Sequence, residues 1–491
     1  MGWARGFGGA WVVVVAFAGG CQSWAPRAPG PSYVDLYLSH PHPLPTVPQE
    51  LPKGPIDIGA AVRLALENFP TIRAARARAE SASAGVDLSN TAYLPRVDLL
   101  WQEIRATRNN ISGTTLPNPV LPGISGPVGK TTSWDSQWGS NGGALLSWEP
   151  FDFGYRSSQL DVARSHEKRA RAEVEVTRLE VATQASEAFL ALLASQEVAR
   201  AAKANVDRWD VFVRSVHVLV NQQLRPGADA SRADAELAQA EIQLARARQV
   251  VERGTATMIE ALGYAEGQVT VDPGPLLRLP LRTSVPSPDL RVHPLAQSQA
   301  AAVETAQSQQ KALDDAYYPR FYLQGGLYGR GSGFDSTGAP QNGTEGLLPD
   351  RGNWFAGVSV YFPVFDIFNI GARRSIEEGA ERAERAKFDH LALSLKIQER
   401  RLQADLVAAQ EIATKTPVQL KAAQDAQVQA TIRYQNGLGT ITEVAEAQQL
   451  LARAEIDDVI ARISIWRVLS QASQVQGDIS PFLKVVENTL R

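Results

Sequence analysis

Hydrophobic positions recur along this chain with two different periods, and the first is helical. After Gly227, small and branched apolar side chains lie alternately three and four residues apart, at Ala230, Ala233, Leu237, Ala240, Leu244, Ala247 and Val251. This heptad pattern predicts a helix that packs along its length against other helices, and the alanines allow close approach. Residues 155–220 contain no proline, which predicts one helix of about 65 residues, on the order of 100 Å long.

The second period is two, and it predicts strands. In the segments "RFYLQGGLYG" and "NWFAGVSVYF", small and polar residues occupy one face. The other face carries Phe321, Leu323, Leu327, Trp354, Ala356, Val358, Val360 and Phe362. The earlier segments "VDLLWQE" and "SNGGALLSW" alternate less regularly. Strands of about ten residues with aromatic ends suit passage through a membrane, although a soluble hairpin with one buried face gives the same period.

The chain divides into two halves that repeat each other. "NFP" and "YLPR" in the first half match "VHP" and "YYPR" in the second, with Pro70 to Pro95 spaced like Pro294 to Pro319. The segment "LRPGADASRADAELAQAE" resembles "NGLGTITEVAEAQQLLARAE", which aligns Gly227 with Gly439. Each half reads as helix, strand, loop, strand, very long helix, turn and helix, and the first helix is predicted over 57–91.

These patterns predict the following divisions of the chain. The first repeat covers 56–263 with its hairpin at about 95–150, and the second covers 290–475 with its hairpin at about 319–364. A connector (264–289) joins the repeats, and a C-terminal tail (476–491) follows.

Two hairpins supply four strands per chain, which do not close a barrel. A four-stranded sheet in lipid leaves two edges of unpaired backbone groups, and bacterial barrels have at least eight strands. A dimer is therefore the minimum assembly, and a trimer gives twelve strands. The predicted fold class is mainly α, with long antiparallel coiled-coil helices and four transmembrane strands that complete a barrel between chains.

The N-terminus predicts export. One basic residue, Arg5, precedes an apolar run that ends in "AGGC", so residues 1–20 read as a signal peptide. "AGGC" is similar to a bacterial lipoprotein cleavage box, in which Cys21 becomes the lipid-modified first residue; the alternative is an ordinary signal with an incidental cysteine. Residues 21–55 are rich in proline, which predicts an extended tether. No later segment has the roughly 18 consecutive apolar residues that a membrane-spanning helix needs.

Composition argues against several classes of function. The net charge of −3 over 491 residues gives no broad basic face for nucleic acid. With six His and one Cys, the chain shows neither a metal site nor a disulfide framework, and no cofactor is predicted. "GGLYGRGSG" lacks the Lys and Ser or Thr of a phosphate-binding loop, and no catalytic triad motif is present, so the sequence does not predict an enzyme.

One turn carries two carboxylates in the first turn of a helix. In "YQNGLGTITEVAEAQ" (434–448), Thr440 and Glu443 have the spacing of a capping box, and Glu446 follows three residues later. Acidic side chains also suit the helix N-terminus electrostatically. Local chemistry therefore explains Glu443 without any further role.

With its duplicated plan, "YLPR", "YYPR" and this turn, the sequence resembles the outer membrane factors, the TolC-like efflux and secretion channels. The resemblance implies a homotrimer in the outer membrane of a Gram-negative bacterium, with a twelve-stranded barrel in the lipid and a helical tunnel in the periplasm. It implies a closed periplasmic end, which opens when a periplasmic adaptor (membrane fusion) protein and an inner-membrane pump dock. Lipidated members are common, which suits Cys21.

The resemblance also implies roles for residues of the two turns. Glu443 and Glu446 lie where the family carries acidic gate residues, and the surrounding positions are Gly437, Gly439, Thr440, Gly227, Ser231 and Arg232. In the alignment of Gly227 with Gly439, Ser231 corresponds to Glu443, so the first repeat is expected to lack this acid. Gly439 also replaces an arginine that pairs across the gate in some members. A structural or adhesive coiled-coil lipoprotein without channel activity is the alternative function.

Overall fold

A computed structural model describes residues 51, 54–107, 132, 134–280, 284–333, 339, 341 and 343–490. Its helices are α1 (Ile58–Asn68), α2 (Pro70–Thr91), α3 (Tyr155–Asn221), α4 (Gly227–Ala261), α5 (Pro294–Asp315), α6 (Ile367–Gln435), α7 (Ile441–Gln476) and α8 (Ser480–Leu490). Its strands are β1 (Pro55–Ile56), β2 (Arg96–Thr107), β3 (Ser136–Phe151), β4 (Thr270–Val271), β5 (Arg320–Ser332) and β6 (Arg351–Tyr361). The predicted signal peptide and Cys21 lie outside the described residues.

The prediction of very long helices is confirmed. Helix α3 has 67 residues and helix α6 has 69, so each extends about 100 Å at 1.5 Å per residue. Helix α6 includes Pro417, whereas α3 is free of proline. The described helices include none that is long and apolar enough to cross a bilayer.

The single helix predicted over 57–91 is wrong, because the structure has two helices there. Phe69 lies between α1 and α2 in an extended conformation, with φ −66° and ψ 126°. The ring of Pro70 disfavours a helical conformation at the preceding residue, and proline suits the first position of a new helix. The predicted C-terminal tail likewise contains a helix, α8, whose residues Phe482 and Val486 are buried.

The four long strands form one antiparallel sheet in the order β2-β3-β5-β6. Its register places Leu99, Ala144, Leu327 and Trp354 in one row across all four strands. The next rows on the same face contain Val97, Leu146, Gly325 and Ala356, and then Trp148, Leu323 and Val358. The sheet therefore has one apolar face, to which the irregular segment "VDLLWQE" contributes, and Phe362 lies one residue beyond the end of β6.

The apolar face of the sheet is exposed in the single chain. Trp354 is 75% exposed, and Leu99, Leu327 and Val358 are each exposed to about the same extent, at 70–71%. The outer sides of β2 and β6 have no strand partner among the described residues. Both features are typical of a sheet that continues into another copy and faces lipid.

The helices pack around two large apolar clusters. The larger cluster lies along the middle of α3 and α6 and the C-terminal half of α7, and it contains Phe189, Leu190 and Trp466, all fully buried. The indole nitrogen of Trp466 donates a hydrogen bond to the carbonyl of Arg278 at 3.0 Å. The heptad seam of α4 is confirmed, because Ala230, Ala233, Ala240, Leu244 and Ala247 are buried.

Candidate functional site

The two helical hairpins of the chain end in similar turns. The first turn (222–226) joins α3 to α4, and the second turn (436–440) joins α6 to α7. In the first turn the amides of Gln223 and Leu224 donate to the carbonyls of Val220 and Leu219, both at 2.9 Å. In the second turn the amides of Gly437 and Leu438 donate to the carbonyls of Tyr434 and Arg433, at 3.1 and 2.9 Å. These paired bonds satisfy carbonyl groups at the end of a helix.

The structure corrects the alignment of the two turns. The N-caps of α4 and α7 are Pro226 and Thr440, a separation of 214 residues, whereas Gly227 and Gly439 are 212 apart. The difference arises because α6 has two more residues than α3. Gly227 therefore corresponds to Ile441, the first residue of α7.

This corrected register changes which side chains are equivalent. Asp229, the third residue of α4, corresponds to Glu443, the third residue of α7, and Arg232 corresponds to Glu446. The expectation that the first repeat lacks an acid at this position is therefore wrong. Ser231 corresponds to Ala445, which is buried at the second turn, whereas Ser231 is exposed.

The second turn is shaped by its two glycines and Thr440. Gly437 has φ +77°, a conformation that side chains disfavour, and Gln223 adopts φ 61° at the matching place in the first turn. A Cβ atom at Gly439 would lie 3.1 Å from a carboxylate oxygen of Glu443 and 3.3 Å from the Cβ atom of Arg433. The second turn therefore has little room for a side chain at position 439.

Thr440 caps α7, as the capping-box spacing predicts. Its hydroxyl oxygen accepts a hydrogen bond from the amide of Glu443 at 3.3 Å, and its hydroxyl lies 3.4 Å from the Glu443 carboxylate. Glu443 and Glu446 are both exposed, and so are Gly227, Ser231 and Arg232 on the first hairpin. The carboxylates of Glu443 and Glu446 are thus open to solvent.

Tyr434 joins the two turns and was not identified as a site residue from the sequence. It lies in the last turn of α6, is fully buried, and donates its phenolic hydrogen to Asp229 Oδ2 at 2.9 Å. Burial, together with the hydrogen bond and the negative charge of Asp229, raises the pKa of Tyr434 to about 12. The phenol therefore remains a hydrogen-bond donor at any physiological pH.

Arg225 contacts the same tyrosine from the first turn. Its guanidinium carbon lies 4.2 Å from the centroid of the Tyr434 ring, and its Nη2 donates to the Tyr434 carbonyl. On the other side, the ring of Phe212 lies 5.4 Å from that of Tyr434. An apolar cluster that draws on both hairpins surrounds the ring, and it includes Trp209, Val216, Ala230, Ile441 and Val444.

Further polar contacts connect the hairpins along their length. Arg208 of α3 forms two hydrogen bonds with the carboxylate of Glu455 of α7, at 3.0 and 2.8 Å. Gln449 of α7 donates to Glu236 of α4 at 3.3 Å. These contacts lie farther from the two turns than the hydrogen bond between Tyr434 and Asp229.

Across the described part of the chain, no group of three or more His, Cys, Asp or Glu side chains is placed to hold a metal ion.

Comparison with known proteins decides the family. A sequence model described as outer membrane efflux protein matches residues 61–264 and 288–465, which is more than half of the chain. The chain belongs to the outer membrane efflux protein family. The first matched segment of this efflux protein contains one strand hairpin and one long helical hairpin, and the second contains the other strand hairpin, all of α6 and most of α7.

Relatives of this outer membrane efflux protein are similar over most of their length. The chain is 24% identical over 449 residues to the cobalt-zinc-cadmium resistance protein CzcC of Cupriavidus metallidurans, covering 90% of this chain and 92% of CzcC. Among solved structures, the outer-membrane channel OprN matches with a TM-score of 0.67 at 18% identity, over 86% of this chain and 89% of OprN. The CmeC outer membrane channel of Campylobacter jejuni matches with a TM-score of 0.68 at 17% identity, over 88% and 90%. These matches confirm the predicted fold.

Proposed function

We propose that this outer membrane efflux protein is the exit duct of a tripartite efflux pump or type I secretion system. It works as a homotrimer, in which the sheets of three chains join edge to edge into a twelve-stranded barrel. The helical hairpins extend from that barrel into the periplasm and form a tunnel. An adaptor protein and an inner-membrane pump supply the cargo and the energy, and the duct itself catalyses no reaction.

The observation that carries this proposal is the sheet. Within the described part of the chain, the edge strands β2 and β6 have no strand partner on their outer sides, and the apolar face of the sheet is exposed. Such a sheet is stable in a bilayer only when other strands complete it and lipid covers its apolar face. Helices α3 and α6, each about 100 Å long, follow directly on the strand hairpins and are far longer than a compact core requires. A hollow assembly uses both features, because each chain then forms one sector of a continuous wall.

The proposed gate lies at the two turns. In a trimer, three copies of Glu443 and of Glu446 would meet at one mouth, where their charge attracts cations and repels anions. The hydrogen bond between Tyr434 and Asp229 holds the second turn against the first, and the resting state is the one in which it is made. Opening moves the second turn away from the first. Gly437, Gly439 and Thr440 form the backbone of the moving turn, and Gly227, Ser231 and Arg232 belong to the stationary one.

The tips of both hairpins offer an apolar contact to the adaptor. Leu224 in the first turn and Leu438 in the second occupy equivalent positions and are 65% and 72% exposed. Large apolar side chains at the end of a polar helical hairpin suit a protein partner. The same proposal includes lipidation of Cys21. It also includes the division of the chain into signal peptide, tether, two repeats, connector and tail.

The test is ion conductance of the purified protein in a planar bilayer. Wild type is compared with Glu443→Ala plus Glu446→Ala, and with the control Glu241→Ala plus Glu252→Ala, which removes two exposed glutamates farther along α4. We expect a small, cation-preferring conductance in the wild type. The first variant should conduct more or lose selectivity, and the control should change much less.

Other outcomes contradict separate parts of the proposal. If wild type conducts and both double variants behave alike, Glu443 and Glu446 do not form the gate. If wild type is trimeric in the outer membrane but never conducts, even with Tyr434→Phe introduced, the exit-duct function is wrong and a structural coiled-coil lipoprotein is favoured.

A further inference from the structure

We propose that Arg225 is a positioning residue for the gate. Arg225 holds the end of α6 against the first turn of the same chain by binding the ring and the carbonyl of Tyr434. This inference rests on the proposed channel function. It assigns to one side chain a role that the two glutamates and the Tyr434 hydroxyl do not fulfil. Arg225 does not line the mouth or touch cargo.

The contacts of Arg225 are directed at two different parts of Tyr434. The guanidinium carbon lies 4.2 Å from the ring centroid, and Nη2 donates to the carbonyl oxygen. The ring is fully buried, so the positive charge meets an aromatic face that water does not reach. That carbonyl is one of the last of α6, and it also accepts a hydrogen bond from the backbone amide of Gly437 at 3.1 Å. Arg225 therefore holds both the side chain and the backbone at the end of the helix.

The first turn fixes where Arg225 points. It stands between Leu224, whose amide closes the end of α3, and Pro226, the N-cap of α4. The ring of Pro226 restricts the preceding residue to extended conformations, which limits the backbone freedom of Arg225. A long side chain on this short, constrained segment reaches the neighbouring hairpin at little cost in backbone entropy.

The second turn has no counterpart to this arginine. The equivalent position, 214 residues later, is Gly439, where a Cβ atom would crowd both Glu443 and Arg433. The contact thus runs in one direction only, from the first turn of a chain to the second turn of that chain. One arginine per chain therefore holds the turn that carries Glu443 and Glu446 through contacts within that chain.

The contact also differs in kind from the Tyr434–Asp229 hydrogen bond. Tyr434→Phe removes the hydroxyl but leaves the ring and the carbonyl, which are the two groups that Arg225 binds. Arg225→Ala leaves the phenol and Asp229 in place. The two contacts can therefore be removed separately and together.

The experiment measures open probability in planar bilayers for the trimeric full chain. We compare wild type, Arg225→Ala, Arg225→Lys, Tyr434→Phe and the double variant Arg225→Ala plus Tyr434→Phe, with Arg246→Ala as the control for an exposed arginine of α4. Arg225→Ala should raise the open probability about tenfold, as expected for the loss of a desolvated cation–π contact and a charge-assisted hydrogen bond. Arg225→Lys should have an open probability between those of wild type and Arg225→Ala, because an ammonium keeps the charge and a hydrogen-bond donor but has no planar face.

The pattern across variants separates positioning from a general loss of structure. In the Tyr434→Phe background, Arg225→Ala should still raise the open probability by a similar factor, and the melting temperature of the trimer should stay close to that of Arg246→Ala. If Arg225→Ala gives no trimer, the open probability of Arg225→Lys is compared with that of Arg246→Ala instead. Open probabilities of Arg225→Ala and Arg225→Lys equal to that of Arg246→Ala would overturn the proposal, while the glutamate variants still report on the channel. If neither wild type nor any variant conducts, the channel function fails and this inference fails with it.

Discussion

The hydrogen bond between Tyr434 and Asp229 gives the sharpest prediction for the proposed gate. Tyr434→Phe keeps the buried ring, so the apolar cluster around it and the stack with Arg225 are retained. The change removes one hydrogen bond of 2.9 Å, between a neutral phenol and a carboxylate. It is therefore close to a single-interaction perturbation of the contact between the two turns.

The size of the effect follows from the kind of bond and its surroundings. Hydrogen bonds to charged groups contribute about 1.5–3 kcal/mol to stability. Asp229 is half-buried, so water replaces part of the lost interaction and the lower end of the range applies. About 1.5 kcal/mol is slightly more than a tenfold change in an equilibrium constant. Each second turn should therefore open about ten times more often, and a mouth that requires all three turns should open by a larger factor.

The assay is single-channel recording, with Tyr264→Phe as the matched control. Tyr264 accepts a hydrogen bond from Asn68 at 3.2 Å, which joins the end of α1 to the segment just after α4, away from the turns. Tyr434→Phe should raise the open probability at least tenfold, and Tyr264→Phe should leave it unchanged. The reasoning is refuted if Tyr434→Phe forms trimers of normal melting temperature and its open probability equals that of the control.

The remaining predictions concern backbone strain, packing and pH. Gly437→Ala should destabilise the second turn by about 1 kcal/mol, because alanine disfavours φ +77°. Gln223→Gly should stabilise the first turn by about 0.5 kcal/mol, since relief of strain is partly offset by backbone entropy. Hydrogen exchange of the turn amides measures both effects against wild type, and exchange equal to that of wild type would contradict the prediction for that variant. Trp466→Ala should cost about 3–5 kcal/mol in urea unfolding, because it empties a fully buried site and leaves the Arg278 carbonyl without its donor. The pKa of Tyr434 is raised to about 12, from an ordinary value of 10.0, by burial and a neighbouring carboxylate, so its contribution to stability is complete below pH 10 and is lost as the pH rises towards 12. Unfolding midpoints between pH 9 and 12 should therefore fall more steeply in wild type than in Tyr434→Phe.

The elements that could be predicted from the sequence are those with a regular period. The seam of α4 and the alternation in β5 and β6 are local patterns, and the structure confirms them. The break at Phe69 was missed even though Pro70 is visible, because an apolar helical period continues on both sides of it. Such a period shows that a segment is helical, but it does not show that the segment is one continuous helix.

The site could be predicted only in part. Thr440 and Glu443 were found because a capping box lies within four residues of sequence. The correct equivalent of Glu443 was missed, because two extra residues within α6 shift the register and leave no mark at the turn itself. Tyr434 and Asp229 are 205 residues apart in sequence, so their contact depends on the packing of two hairpins.

The unequal lengths of α3 and α6 have a consequence for the symmetry of the assembly. In the proposed trimer, the duplication within each chain would give six similar hairpins around one axis, an approximate sixfold arrangement of the backbone. The extra two residues of α6, about 3 Å of helix, and its Pro417 make alternate hairpins unlike. At the mouth, Asp229 and Arg232 would alternate with Glu443 and Glu446, so the chemistry repeats only three times per revolution. A docking partner with six identical binding surfaces would therefore meet two kinds of tip, and could engage them all only by adopting two conformations of its own.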